Sequence, residues 1–425
     1  MTSGSRWRRV ELVALAAVVA TLPFYQFGWS LGGQSLSPHE AALLLTAALV
    51  AVRYVVAWRL GRTKSGFEKA LEVSPAWAAF EGPIMLFLVA GLLSLLATEY
   101  LRLSLRELRT LVVEPLLFWY LCRAVLRGSR DAAWLVAALL TATALVAAIG
   151  LAQLVMGGAV TDVQGVRRVL GPYTSPNHFA LVLGRALPFL LALAWIVPRW
   201  RPWALAGAAL CAGALFATFS VGGWIATGLA VLVVVGLMGG RRYVAALVVA
   251  GAIAACILLV AAPVERLAGR LDPRQGTSFV RVQLWQAAVE LIGGSPLLGI
   301  GLDNFLYRYP ALNPSGTPFE PNLSHPHNLI LQFWLQLGLL GLLALGWLLW
   351  QFGRSGWPVA RDPTAPPFER ALAVGALGSM TDFVAHGLVD NSYFLPDMAV
   401  IFWLTLAVAA TLRTVHPRAT VPAST

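Results

Sequence analysis

Apolar runs of about twenty residues recur from Val10 to Leu412, most of them ended by arginine or by a Pro/Gly turn. At 1.5 Å of helix rise per residue, such a run spans the hydrocarbon layer of a bilayer. Backbone polar groups in lipid must be satisfied within the segment, so the runs are read as helices. The alternating polar and apolar pattern of a membrane barrel is absent. Only 12% of the chain is charged and 58% is hydrophobic; a soluble domain carries about twice that share of charge. The expected fold class is therefore an all-α polytopic membrane protein, one membrane domain over residues 1–425.

Arginine sets the expected orientation, because cytoplasmic loops are enriched in it. Arg6, Arg8 and Arg9 place the N-terminus inside, and Val10 to Trp29 reads as a first span because it lacks a small-residue cleavage site. Further spans are expected at about His39 to Trp58, Pro75 to Leu96, Leu111 to Leu126, Ala132 to Met156 and His178 to Val197. Trp203 to Phe219 and Trp224 to Met238 form a tight pair, and Tyr243 to Ala262 leads into a large outer loop, residues 263–327. Asn328 to Trp350, Ala371 to Val389 and Tyr393 to Leu412 follow. This makes about twelve transmembrane helices with both ends cytoplasmic and the large outer loop between the ninth and tenth. No internal repeat and no helix broken at mid-membrane is visible, although transporters often have both.

The net charge of +11 is explained by this topology. No basic patch is interleaved with exposed aromatics, so nucleic acid is not an expected partner. Cys122, Cys211 and Cys256 all fall in apolar runs without metal-ligand spacing and read as packing residues. Phosphate-cradling glycine loops are missing, which argues against a soluble nucleotide site, and no cofactor is expected.

Within the loop, Leu284, Ala288, Leu291 and Ile292 share one helical face, while Gln283, Gln286 and Glu290 lie away from it. Ser278 is a plausible N-cap and Gly293-Gly294 before Pro296 a stop, so an amphipathic helix over about 279–292 is expected at the outer membrane–water interface. Arg281 falls in its first turn and offers a planar fork of donors suited to phosphate; all but two of the 31 basic residues are arginine, so that choice is weakly informative. His327-Asn328 stands where the loop meets the tenth helix, as a general base or as a helix cap. His325 and His327 lie two apart with no acidic residue near in sequence, and no metal site is expected. Arg185 lies inside the sixth helix, where an arginine faces a cavity or a partner, or snorkels to the interface. His325, Asn328, Asn177, His178, Arg308 and Asp390 are candidate substrate-binding residues. His386 and Asp397 lie around the same outward turn as Asp390, with capping or hydration as the plainer reading.

Three motifs then stand in one order. Tyr173 to Asn177 with Phe179 and Ala180 gives PN-x-x-A; Arg281, Leu284-Trp285 and Ser295 to Phe305 give RxxLW…PxxGxGxxxF; His327-Asn328, nine residues and Gly338-Leu339-Leu340-Gly341 give HN-x9-GxxG. Together, over about 170–403, they resemble the O-antigen ligase and polymerase family. The resemblance implies an inverting, polyprenol-dependent glycosyltransferase of the cytoplasmic membrane. Such an enzyme moves a glycan from undecaprenyl pyrophosphate to an acceptor hydroxyl on the outer, periplasmic side, without metal or ATP. It implies His327 as the base and Arg281 as a pyrophosphate ligand. The family's Ser-Arg-Gly turn reads Ser220-Val221-Gly222 here, and Arg185 is the candidate replacement. Gln336 stands where many members have an acid. The implied partners are the lipid-linked glycan, an acceptor glycolipid or other surface acceptor, and membrane lipid. HN…GxxG leans towards ligase over repeat-unit polymerase, with protein O-glycosylation a further variant. The rival from another class is a transporter or flippase using Arg185 and the acidic residues near the eleventh helix. An enzyme requires His327, Arg281 and Arg185 to converge on one outward cavity.

Overall fold

The computed structural model describes residues 3–31, 34–59, 74–157, 160–163, 166–249, 251, 276–312 and 324–416. In chain order the longer helices are α1 (Ser3–Thr21), α2 (Pro38–Arg59), α3 (Pro75–Ser94), α4 (Leu101–Leu108), α5 (Glu114–Val125), α6 (Ser129–Met156), α7 (Pro176–Ile196), α8 (Arg201–Ala217), α9 (Val221–Gly239), α10 (241–249), α11 (Gly276–Gly294), α12 (Leu329–Arg361), α13 (Pro367–Gly387) and α14 (Pro396–Val415). Two short antiparallel hairpins interrupt them, β1 (Trp29–Leu31) with β2 (Gln34–Leu36) and β3 (Val160–Val163) with β4 (Val166–Val169). Among the described residues, seven helices are long and apolar enough to cross a membrane: α2, α3, α6, α7, α9, α12 and α14. The chain is a multi-pass, all-α membrane protein.

Boundaries differ from expectation in three places. α1 ends at Thr21 and Trp29 already belongs to β1. The fourth helical run begins at Leu101, not Leu111; amphipathic α4 passes through a π-helical turn, Arg109–Val113, into α5. α12 continues to Arg361 and is broken at Gly338. The expected ninth span is described only to residue 249, and much of the large loop, residues 263–275 and 313–323, lies outside the described residues, as does the side chain of Ser278.

α7 and α14 form the centre with α13. The apolar stretch of α14 is 83% buried and that of α7 78%, against 17% for α2, so α2 faces lipid and the other two face protein. Small residues permit this packing. A Cβ on Gly375 or Gly378 of α13 would come within 2.4 Å of Phe189 or 2.6 Å of Pro188 on α7. Serine and asparagine caps start the helices that matter. Ser175 Oγ accepts from Asn177 N–H with Pro176 at the first helical position of α7, Ser220 Oγ accepts from Gly223 N–H on α9, and Asn328 Oδ1 accepts from Ile330 and Leu331 N–H on α12, each at 3.0 Å.

The two ends of the bundle differ. One is rich in arginine: Arg8 pairs with Asp131, Arg123 with Glu81, and Arg370 donates to Leu237 O. The other gathers the N-termini of α7, α9, α12 and α14 and the C-terminus of α13, with their histidines and aspartates.

The break in α12 explains two of the sequence motifs. Gly338 (φ 66°, ψ −171°) opens the hydrogen bond that Leu335 O and Leu339 N–H would otherwise share. The segment after α11 inserts there. Ile300 N–H donates to Leu335 O at 2.7 Å, and Pro296 O accepts from Leu339 N–H at 3.2 Å and from Trp334 Nε1–H at 2.8 Å. Asn304 then latches the segment to the α3–α4 turn, accepting from Glu99 and Tyr100 N–H and donating to Leu302 O and Ser104 Oγ. A Cβ on Gly299 would lie 2.3 Å from Leu335 O, and one on Gly338 2.0 Å from Leu297 O, both at positive φ. Gly299→Ala and Gly338→Ala should each cost at least about 2 kcal/mol from backbone strain and overlap. The check is a lower melting temperature in detergent together with faster proteolysis at residues 295–301; unchanged cleavage would refute the docking role.

Candidate active site

His327 is presented by a strained backbone. It sits at φ 51°, in the left-handed region that a residue with a Cβ seldom adopts. Two anchors hold this conformation. Pro326 before it is buried, and Asn328 after it caps α12 while donating through Nδ2 to Leu388 O at 3.0 Å. That last bond ties the start of α12 to the turn between α13 and α14, where Asp390 lies.

His327 Nδ1 is 2.9 Å from Asp390 Oδ1. Asp390 is 5% exposed, and its Oδ1 also accepts from Asn391 N–H at 2.8 Å. Burial alone would raise the Asp390 carboxyl. The charge and hydrogen bond of His327, with His386 and Arg281 behind them, outweigh burial and hold it far below the usual carboxylate range. Asp390 is thus a carboxylate at any working pH. It fixes the His327 proton on Nδ1 and leaves the Nε2 lone pair for another partner.

Arg281, half-buried on α11, lies close enough to act on both Asp390 and His325. Among the described residues it has no hydrogen-bond or ion-pair partner, so its guanidinium fork is uncommitted. α11 is seated for this by a buried stripe of Leu284, Ala287, Ala288 and Ile292 against Leu335, Ile300, Phe305 and Tyr309, while Gln286, Val289 and Glu290 are exposed. The His325 ring centroid is 4.3 Å from that of His327. Burial first, then the neighbouring charges of His327, His178 and Arg281, push its pKa down to about 3, against the pull of Asp390. His325 is therefore neutral. One donor atom each from His325, His327 and Asp390 lie within 4.8 Å of one another, a grouping that sequence spacing hid because Asp390 is 63 positions from His327.

The other expected site residues are placed differently. Arg185 is 1% exposed. Its guanidinium donates to Asp382 Oδ2 and Ser379 O at 3.3 Å each, to Ser392 Oγ at 2.6 Å and to Ser392 O at 3.3 Å, and it lies over the Phe383 ring. Asp382 accepts in turn from Thr227 Oγ1. Arg185 is thus a committed cross-link between α7, α13 and the segment before α14, with α9 joined through Asp382, an arrangement that favours a structural role over contact with substrate. His178 is also committed: its Nε2 lies 2.9 and 3.1 Å from the Asp397 oxygens, with its ring against Tyr173 and Tyr25. Arg308 pairs with Glu99 at 3.5 Å. Asn177 Oδ1 accepts from Arg168 Nη2 at 2.8 Å, and Arg168 Nε donates to Thr218 O at 2.7 Å. Arg168, on β4, so reaches the turn before α9 where the family pattern carries an arginine; no sequence spacing pointed to it. His386 packs against the same turn: a Cβ on Gly223 would lie 3.2 Å from its Cε1.

Residues 206–346 match the family model for O-antigen ligase. The match runs from α8 into α12. It takes in Arg281, the docked segment, His327 and the Gly338 break, and leaves Arg185, His178 and Asp390 outside. It bears out the resemblance to the O-antigen ligase and polymerase family and points to a membrane glycan ligase or polymerase, an enzyme of glycosyltransferase type. No curated protein matches the chain.

Proposed function

We propose that the chain transfers a glycan from undecaprenyl pyrophosphate to an acceptor hydroxyl at the outer face of the cytoplasmic membrane, with inversion. The observation that carries this is an imidazole whose Nδ1 is held by Asp390, leaving Nε2 to face a partner, beside an arginine that has no hydrogen-bond or ion-pair partner among the described residues. The acceptor hydroxyl gives its proton to His327 Nε2 as its oxygen attacks the anomeric carbon. The bond from that carbon to the pyrophosphate oxygen breaks, and undecaprenyl pyrophosphate leaves with the electron pair. Arg281 meets the charge that develops on the leaving oxygens. Asp390 stabilises the imidazolium formed on His327. A single displacement of this kind inverts the anomeric centre.

Two further features support a lipid-linked donor. An apolar groove between α8 and α9, floored by Leu187 and Leu191 of α7, runs up to stacked Phe216 and Trp224 beneath the Thr218 to Ser220 turn; it suits a polyprenyl chain. The positive-inside rule reads the arginine-rich end of the bundle as cytoplasmic, which supports an outer position for His327. A broken helix such as α12 is also a transporter feature, but Leu335 O and Leu339 N–H, which the break at Gly338 frees, are taken up by Ile300 and Pro296.

The test is a glycan profile of cells lacking this chain, complemented with wild type or His327→Ala, with lipid-linked and surface-linked glycan analysed separately. Long polymer stranded on the lipid means ligase; single repeat units mean polymerase. A normal profile with His327→Ala would remove His327 as the base.

A further inference from the structure

We propose that His325, His327 and Asp390 form a binding site for a divalent transition metal of the zinc type, and that the bound ion switches the site off. The three donor atoms come from two separate elements, the segment leading into α12 and the turn between α13 and α14, and already lie within 4.8 Å of one another. His327 Nδ1 and Asp390 Oδ1 are 2.9 Å apart, a separation that an ion bound to both at about 2.0–2.2 Å requires only slight opening to accommodate. Among the described residues His325 has one hydrogen-bond partner, Ser324 Oγ at 3.2 Å from its Nδ1, so rotation of its ring completes a three-ligand set with a fourth position open to water. Two imidazoles and one carboxylate suit zinc.

The ion takes the His327 Nδ1 lone pair, so the ring proton moves from Nδ1 to Nε2. The hydrogen bond to Asp390 that orients the ring is lost, and Nε2, now carrying the hydrogen, has no lone pair with which to accept the proton of the acceptor hydroxyl. This consequence rests on the reading of His327 as the base; the binding itself does not. Arg281 opposes the ion, since both draw on the negative charge of Asp390. That opposition weakens the site, which suits reversible binding better than a resident structural metal.

The experiment uses the full chain in lipid nanodiscs with Zn²⁺ as the probe. Competition against a chromophoric zinc indicator should give one ion per chain. His325→Ala, His327→Ala and Asp390→Asn should each weaken it roughly tenfold or more, and Arg281→Gln should tighten it roughly tenfold by removing the opposing charge. X-ray absorption on the wild-type complex should show two imidazoles and no sulfur, a readout that does not depend on any variant folding. Failure to bind zinc at 100-fold excess over protein (about a hundredfold in ligand adds only a few kcal/mol of linkage), binding that survives loss of any one of the three residues, or a sulfur-containing shell overturns the site. Glycan transfer should fall with the same midpoint as zinc occupancy. Binding without inhibition overturns the switch and counts against His327 as the base.

Discussion

Replacing His327 by alanine will lower glycan transfer by about 10²–10⁴-fold, the range that a positioned general base supplies. The loss should fall on kcat with the donor KM little changed, because the base contacts the acceptor hydroxyl and not the pyrophosphate. Asp390→Asn is the sharper test of the arrangement. The amide presents an N–H₂ where the carboxylate accepted from His327 Nδ1, so the ring turns over to the tautomer with its proton on Nε2 and cannot accept from the acceptor hydroxyl. Transfer should fall by at least about tenfold. Asp390 makes a stability contribution of its own. Its carboxyl is held below the ordinary range in the folded chain, so that contribution is complete above the unfolded carboxylate value near about 4 and fades only as the pH falls below it. Retention of full turnover by His327→Ala would end the assignment.

The helices were legible because lipid leaves the backbone one solution, and runs such as His39 to Trp58 and Ala132 to Met156 carry their length and their flanking arginines on the surface of the sequence. α4 was not legible. Arg102, Arg106, Glu107 and Arg109 read as a polar connection by hydropathy, whereas they sit on an amphipathic helix that a π turn splices onto α5. The Gly338 break was hidden for a related reason. A glycine inside a long apolar run is compatible with an unbroken helix, and only the insertion of Ile300 and Pro296 stabilises the broken form.

The site divides along the same line. His327 and Arg281 stood out because each interrupts or borders an apolar pattern. The partner of His327 did not, since an aspartate 63 positions away is one acid among several near the outward turn, and Asp397, its close competitor by position, is taken by His178. Arg168 escaped notice for the opposite reason. It lies in a polar hairpin where an arginine needs no explanation, and its function as a strap from β4 to Asn177 and Thr218 exists only in three dimensions.

Arg185→Ala will destabilise the fold by about 3–5 kcal/mol, the usual result of leaving a buried charge without its partner. Sequence reasoning placed this arginine at the substrate, so the experiment decides between a structural and a catalytic role. Asp382 is fully buried, and without Arg185 it keeps only Thr227 Oγ1 as a donor at 3.0 Å. Ser392 O and Ser379 O lose donors as well. The packing leaves little room for relief. A Cβ on Gly184, the residue before Arg185, would already meet Asp382 Oδ1 at 2.4 Å, so α7 and α13 are in contact and cannot close further on the cavity left behind. The double variant Arg185→Met with Asp382→Asn removes both charges and retains most of the volume, and it should recover the larger part of the lost stability. Melting in detergent reads this directly. If Arg185→Ala instead melts with the wild type while transfer collapses, and the double variant restores nothing, then Arg185 works on the donor after all and the cross-link is incidental.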